Sequence, residues 1–521
     1  MSVINRRLLG VLSPLFSIRS SSDWGVGELS DLARLAPLLE RGGVKVLMTL
    51  PLLEPSPGQE SPYSPVSAFA LDPLYVSLDD VEEMQALGGR EALASEDRGW
   101  LRAARGSVSV RHDLVRPLKK RWLERCYARF LESASEERRA DLSRFREEHA
   151  SWLADYALFR TLKEHHPQSW RAWPEPLREH RADAVEQARH AHAGEIGFRE
   201  YVQWLAFRQL ERARGVLRER DIHLGGDEPF LVAEDSADVW AHQDLYRFDA
   251  TVGAPPDAFS ATGQDWGLPP YRWDRIAERD FALFRERGKH AARCFDLVRI
   301  DHVVGLYRTF NRPLDKSQDC YFVPAHEAEQ KAQGEAVLRA FGQGGADLIA
   351  EDLGVIPDFV RESLANLDIP GFRVLRWEQR GGRFRVPASW PAVSVATSGT
   401  HDTETSAVWW DALPDHERAA IREIPELGAI PVELSQTYNH HIHAALLEAL
   451  LGAPSSLALL PVQDVFGLRE RINIPNTVGP QNWSWRLPWS IETMDKEEHV
   501  GAQLDALALI ARRTGRVDGA R

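Results

Sequence analysis

Eight short apolar runs, most of them ending in a polar or charged residue and then a loop, constrain this chain more than any other feature. They are Leu8 to Leu12, Val44 to Leu53, Pro229 to Ala233, Leu297 to Ile300, Leu348 to Ala350, Phe372 to Trp377, Val393 to Thr397 and Leu457 to Val462. Between most of them lie helical patterns such as Leu29 to Arg41, Asp358 to Ala365 and Glu417 to Ile424. Strands that alternate with helices build βαβ units and hence a parallel sheet. Eight such units predict an α/β fold, a closed (β/α)8 TIM-type barrel whose active site lies at the C-terminal ends of the strands. An open, doubly wound sheet is the alternative that the same alternation allows.

The stretch from about Asp79 to Arg220 exceeds a minimal barrel. It is rich in charge, with apolar residues at three- and four-residue spacing, as in LKKRWLERCYARFLES and FREYVQWLAFRQL. It reads as a mainly helical subdomain (79–220) inserted after the second strand of one catalytic domain spanning 1–521, and no chemistry is assigned to it. The formal charge of −14 argues against a nucleic-acid partner. Three widely spaced cysteines, Cys126, Cys294 and Cys320, fit neither a disulfide framework nor a CxxC metal site and point to a reducing compartment. Apolar runs are too short for a membrane span. Arg6-Arg7 before an apolar stretch imitates an export signal, but Pro14 interrupts it and the segment serves as a first strand, so a cytoplasmic location is expected.

Three acids sit where barrel chemistry should sit. Asp301 and Glu351 directly follow short strands, and Asp402 lies a few residues past another. Residues far apart in sequence but each at a strand end converge on one mouth. A carboxylate nucleophile, a carboxylic acid that later acts as base, and a third carboxyl gripping sugar hydroxyls are what retaining glycoside chemistry uses. Arg299 precedes Asp301 by two positions, which in a strand share a face, so its guanidinium would hold Asp301 ionised. Glu351 must instead carry a proton at rest, through a less polar surround or nearby negative charge. Any one of these acids alone could equally be a helix cap or a loop charge.

Seventeen Trp, 20 Phe and 10 Tyr supply rings that can cover the apolar faces of sugars, although most must be core. Tyr63 in SPYSP, and Phe259 and Trp266 in the Pro/Gly-rich segment at 251–273, are placed in loops; the latter segment is read as a long functional loop. No phosphate-binding GxxxxGK[ST] loop, HExxH helix or EF-hand loop occurs, and the histidines in Asn439-His440-His441-Ile442-His443 read as a solvated surface cluster. No metal or cofactor requirement is expected.

Taken in order, GVLSPLFSIRSSSDWGVGELSD, SPYSPVSAFALDPLYVSL, GDEPFLVAEDSADVWAH, PPDAFSATGQDWGLPPYRWD, VRIDHVVGLYR, IAEDLGVIP, SGTHDTET, RINIPNT and NWSWRL resemble the amylomaltases, the 4-α-glucanotransferases or disproportionating enzymes. The resemblance implies a barrel with helical insertions, no cofactor, and α-1,4-glucans or maltooligosaccharides as substrates. It implies Asp301 as nucleophile with Arg299 as its partner, Glu351 as acid and base, and His401 and Asp402 at the donor sugar. It further implies Tyr63 stacking on that sugar, Asp227 and Asn473 binding it, and the Trp266 loop covering acceptor subsites. The chain departs from the family at Ala258, where a Tyr is usual, and in the Thr-Glu-Thr that follows Asp402. An α-glucan hydrolase of amylase type would share the three acids, and a silent glucan-binding protein is the rival outside enzymes. A monomer or a homodimer is equally compatible.

Overall fold

The computed structural model describes residues 3–256, 263–475 and 477–517. Eight parallel strands close into a barrel: β1 Leu8–Leu12, β2 Val46–Met48, β3 His223–Glu228, β4 Leu297–Ile300, β5 Asp347–Ala350, β6 Gly371–Val374, β7 Ser394–Thr397 and β8 Leu457–Pro461. Neighbours in the barrel are neighbours in the chain, and β8 closes on β1 with Leu8 opposite Leu457 and Leu12 opposite Pro461. The open-sheet alternative is thereby excluded. Every residue of β1, β2, β4's LVRI and β8's LALLP is buried, as expected of strands covered on both faces.

One strand lies elsewhere than its sequence reading. The third is His223–Glu228 (HLGGDE), not Pro229–Ala233, which follows it as irregular chain. Its two glycines suppress the apolar signal for a packing reason. A Cβ on Gly226 would sit 2.4 Å from the Phe295 ring, and one on Gly225 would sit 2.8 Å from the Met48 sulfur. The shift places Asp227 inside the strand rather than ahead of it. Boundaries elsewhere move by a few residues, and the helix read at Glu417 to Ile424 is Asp415–Ile421.

Helix α1 (Leu29–Arg41) starts in a capping box formed by Glu28 and Asp31 and buries Leu29, Leu32, Leu35, Ala36 and Leu39 on one stripe. Between β2 and β3 the chain forms a set of helices that includes His112–Ser133, Glu136–Glu148, α2 (Leu153–His165), α3 (Ala182–Ala191) and α4 (Ala193–Glu219). Helix α4 packs on α1 and leads into β3. Its buried amides tie down the segment that precedes the helices. Gln203 accepts from the Leu71 N–H (3.0 Å) and donates to its carbonyl (2.7 Å), and Gln209 does the same at Ser77 (2.7 and 2.9 Å). Such bidentate amide pairs replace a missing strand partner for buried backbone.

Within 251–273, read above as a loop, the described residues form the two arms of a hairpin. Strands Ala250–Ala254 and Gln264–Leu268 pair antiparallel, and the sheet continues through Thr309–Pro313 and Tyr321–Val323. The prolines that suggested a loop directly follow the two strands, and the cross-strand partner that fixes Ala250–Ala254 is supplied from about 60 residues downstream, after β4. Phe259 and Ala258 lie outside the described residues.

Candidate active site

The C-terminal end of β4 carries the centre of charge. Arg299, buried at 8% exposure, directs one guanidinium nitrogen to both oxygens of Asp227 (2.7 and 2.8 Å) and to Asp301 Oδ1 (2.9 Å). Asp227 comes from the adjacent strand β3, where it is register partner to Arg299. Burial works against the guanidinium's charge, but Asp227 and Asp301 more than offset it and keep it cationic. One cation thus serves two carboxylates on neighbouring strands, and Asp301 remains the more exposed of the two, facing the mouth.

Glu351 follows β5. Its Oε2 accepts the His302 N–H at 2.8 Å and its Oε1 the Leu353 N–H at 3.2 Å. Burial pushes its acid up to about 8, helped by Asp301 and opposed by Arg299 and the His302 hydrogen bond. The carboxyl therefore holds its proton at neutral pH, the state a general acid needs. His302 itself is depressed to about 4 by burial and is neutral there. Its backbone adopts φ +45°, a left-handed conformation uncommon for a non-glycine residue, and this turn aims its N–H at Glu351.

Tyr63 arrives from the loop after β2. The ends of that loop are pinned by Glu54 N to Ala70 O (3.0 Å) and Val66 N to Glu54 O (2.8 Å), while Tyr156 on α2 donates to the Glu54 carboxylate at 2.5 Å. Burial and the nearby Asp227 keep the Tyr63 phenol protonated, and it donates to Asp227 Oδ2 at 2.7 Å. Its ring stacks on His401 with centroids 5.1 Å apart and planes 17° from parallel. Asp402 beside it accepts Asn473 Nδ2 at 2.6 Å and lies 3.5 Å from His401 Nε2. Trp266, on the second strand of the hairpin, meets His302 edge to face at 4.6 Å, so the hairpin reaches the residue next to Asp301.

Asp301, Glu351, Asp402, Tyr63, Asp227, Arg299, His401, Asn473 and Trp266 are linked through these contacts into one mouth, and three further residues support it that sequence reasoning gave no role. Trp483, at φ +55°, closes an aromatic wall with Tyr63 and His401, both centroids 5.7 Å away. Arg376 and Asp464, both buried, hold the loop that bears His401 and Asp402. Arg376 donates to Ser398 O (3.0 Å) and to Glu404 (2.9 Å), and Asp464 accepts from Ser398 Oγ (2.5 Å) and the Ser406 N–H (2.7 Å). Asp464 also follows a strand, so strand-end position alone does not separate a mouth acid from a structural one. In the histidine cluster, His440 and His441 are exposed, but His443 is buried and donates to Asp464 O at 2.8 Å.

Fold and carboxyl arrangement together define a (β/α)8 barrel whose mouth gathers carboxyls of the kind that acid–base enzymes use. A profile of the 4-alpha-glucanotransferase family matches residues 13–492. The 4-alpha-glucanotransferase of Thermus thermophilus is 34% identical over 509 residues, covering 94% of this chain and 96% of that one. That of Chlamydia pneumoniae is 31% identical over 500 residues, covering 93% and 92%. The amylomaltase of Streptococcus agalactiae, solved with acarbose, superposes with a TM-score of 0.84 at 26% identity, covering 98% of this chain and all of that one. The chain belongs to the 4-alpha-glucanotransferase family and has that activity.

Proposed function

We propose that the transfer runs as a double displacement on α-1,4-linked maltooligosaccharides. Asp301 attacks the anomeric carbon while Glu351 gives its proton to the departing glycosidic oxygen, and the reducing-end fragment leaves. Glu351, now ionised, takes the proton from the 4-hydroxyl of an incoming glucan, whose oxygen displaces Asp301, so two inversions give net retention. The observation that carries this reading is geometric: Asp301 lies 2.9 Å from the Arg299 guanidinium, whereas Glu351 is held by the His302 and Leu353 N–H groups, where desolvation pushes its acid up to about 8. The two carboxyls differ in surround in the way their two roles require.

Tyr63, His401, Asp402 and Asn473 are assigned to the donor sugar. The Tyr63 ring covers its apolar face, while Asp402, oriented by Asn473, takes hydroxyls as the ring flattens. Arg299, itself held by Asp227, directs Asp301. Trp266, and with it Phe259, is assigned to the acceptor, excluding water and orienting the attacking hydroxyl so that transfer outruns hydrolysis. The free cysteines, with Cys126 and Cys294 buried, support a reducing, cytoplasmic setting for this reaction.

Incubation with maltotriose alone tests the reading. A ladder of longer maltooligosaccharides plus glucose at constant reducing-end count is the expected result. Rising reducing ends without longer products would instead make the chain a hydrolase on the same acids.

A further inference from the structure

Far from the barrel mouth in sequence, His165, His192 and Glu195 converge at one corner of the helical region. His165 is the last residue of α2, His192 forms the elbow between α3 and α4, and Glu195 lies in the first turn of α4. His165 Nε2 is 2.9 and 3.1 Å from the two Glu195 oxygens, and His192 Nδ1 is 3.1 Å from one of them. The imidazole rings lie side by side with centroids 4.5 Å apart and planes tilted by 41°. One ligand atom from each residue lies within 4.8 Å of the others.

Glu195 differs in its partners from the ion-paired carboxylates around it. Neighbouring carboxylates are matched by fixed cations: Asp141 by Arg208, Asp155 by Arg189, Glu164 by Arg199 and Lys120, Glu200 by Arg146. Among the described residues no lysine or arginine pairs with Glu195, whose ion-pair partners are the two imidazoles. Two imidazoles and one carboxylate on a common point are a donor set suited to zinc and its neighbours in the first transition row, and too rich in nitrogen for calcium or magnesium. A tetrahedral ion bonded at about 2.0–2.1 Å separates its ligand atoms by about 3.3 Å. The carboxylate contacts need to widen by only a few tenths of an ångström, and side-chain exposures of 44% for His165 and Glu195 and 24% for His192 leave the rings free to turn.

We infer that His165, His192 and Glu195 form a binding site for a zinc-type divalent ion that fastens the end of α2 to the α3–α4 elbow. A water completes the tetrahedron from the solvent side. The site is structural: Tyr156 and Gln203, which anchor the Tyr63 segment, lie on the same two helices α2 and α4, so the ion braces the frame behind the mouth without touching it.

The test titrates zinc chloride into chelator-stripped, full-length protein by calorimetry. One equivalent bound with micromolar or tighter affinity is expected, weakened at least tenfold in both His192→Ala and Glu195→Gln. Cobalt in place of zinc should give visible bands of tetrahedral intensity that both variants lose. A His440→Asn/His441→Asn variant controls for the exposed histidine pair on the helix His440–Gly452 and should bind as the parent does. Glu195→Gln keeps the shape of the cluster, so it decides the matter even where His192→Ala is poorly folded. Absence of saturable zinc binding, or binding that survives Glu195→Gln, overturns the inference and leaves a solvated ion pair. Glucan transfer by the stripped protein should equal that of the loaded protein.

Discussion

The proton on Glu351 makes the sharpest quantitative demand. A group titrating at about 8 is about 90% protonated at pH 7 and about 10% at pH 9. The first displacement needs that proton, so kcat/KM for maltotriose should be level near pH 7, half-maximal near pH 8, and about tenfold lower at pH 9. The decline is set by burial of the carboxyl and by Asp301, and it acts on leaving-group departure alone. A donor whose leaving group departs as a stable anion, α-maltosyl fluoride, should therefore show no such limb in its glucosylation step, measured as fluoride release over pH 6 to 9.5. Glu351→Gln should lose about 10²–10⁴-fold with maltotriose while keeping most of its fluoride release. A maltotriose profile flat to pH 9.5, or the same limb with the fluoride donor, would refute the assignment of the acid to Glu351.

Glu351 also bears on stability. Its folded value of about 8 lies above the ordinary 4.5, so the unfolded chain releases the proton first and the fold loses stability as pH rises between those values. Glu351→Gln removes that dependence and should melt about 1–3 °C above the parent at pH 8, with the gap closing toward pH 4.5, as read by calorimetry. Asp301→Asn should lower kcat by about 10⁴-fold or more while changing maltotriose affinity little; substantial residual turnover in single-turnover kinetics would remove it as nucleophile. Tyr63→Phe keeps the ring but deletes the 2.7 Å hydrogen bond to Asp227 and should cost about 1–3 kcal/mol in kcat/KM, about 5- to 150-fold. Trp266→Ala should shift the ratio of transfer to hydrolysis about 3- to 10-fold toward hydrolysis, and an unchanged ratio would free the hairpin of any acceptor role.

What the chain states in its own sequence is local. Alternation of apolar runs with helical stripes determines eight strand–helix units of an α/β fold, because each strand and helix advertises its burial through neighbours a few residues away, while closure of β8 on β1 is what makes them a barrel. Strand-end position marks Asp301 and Glu351, and the two-residue strand period puts Arg299 on Asp301's side, where the 2.9 Å contact is found. Glycine defeats this logic in β3. Gly225 and Gly226 are chosen by Met48 and Phe295, which no local pattern reveals.

Tertiary structure alone decided which strand-end acids meet and what surrounds them. Asp402 and Asp464 both follow strands, yet Asp402 faces the mouth while Asp464 is buried holding Ser398 and Ser406. Strand pairing from beyond β4 placed Ala250–Ala254 and Gln264–Leu268 in one sheet and set Trp266 against His302. The proton on Glu351 is likewise a property of the assembled mouth, since it arises from desolvation and from charges on other strands. Backbone periodicity is fixed by bonds between near neighbours and can be read along the chain; dielectric, charge pairing and close approach are set by groups from about 50 to more than 300 residues apart, and exist only once the barrel has closed.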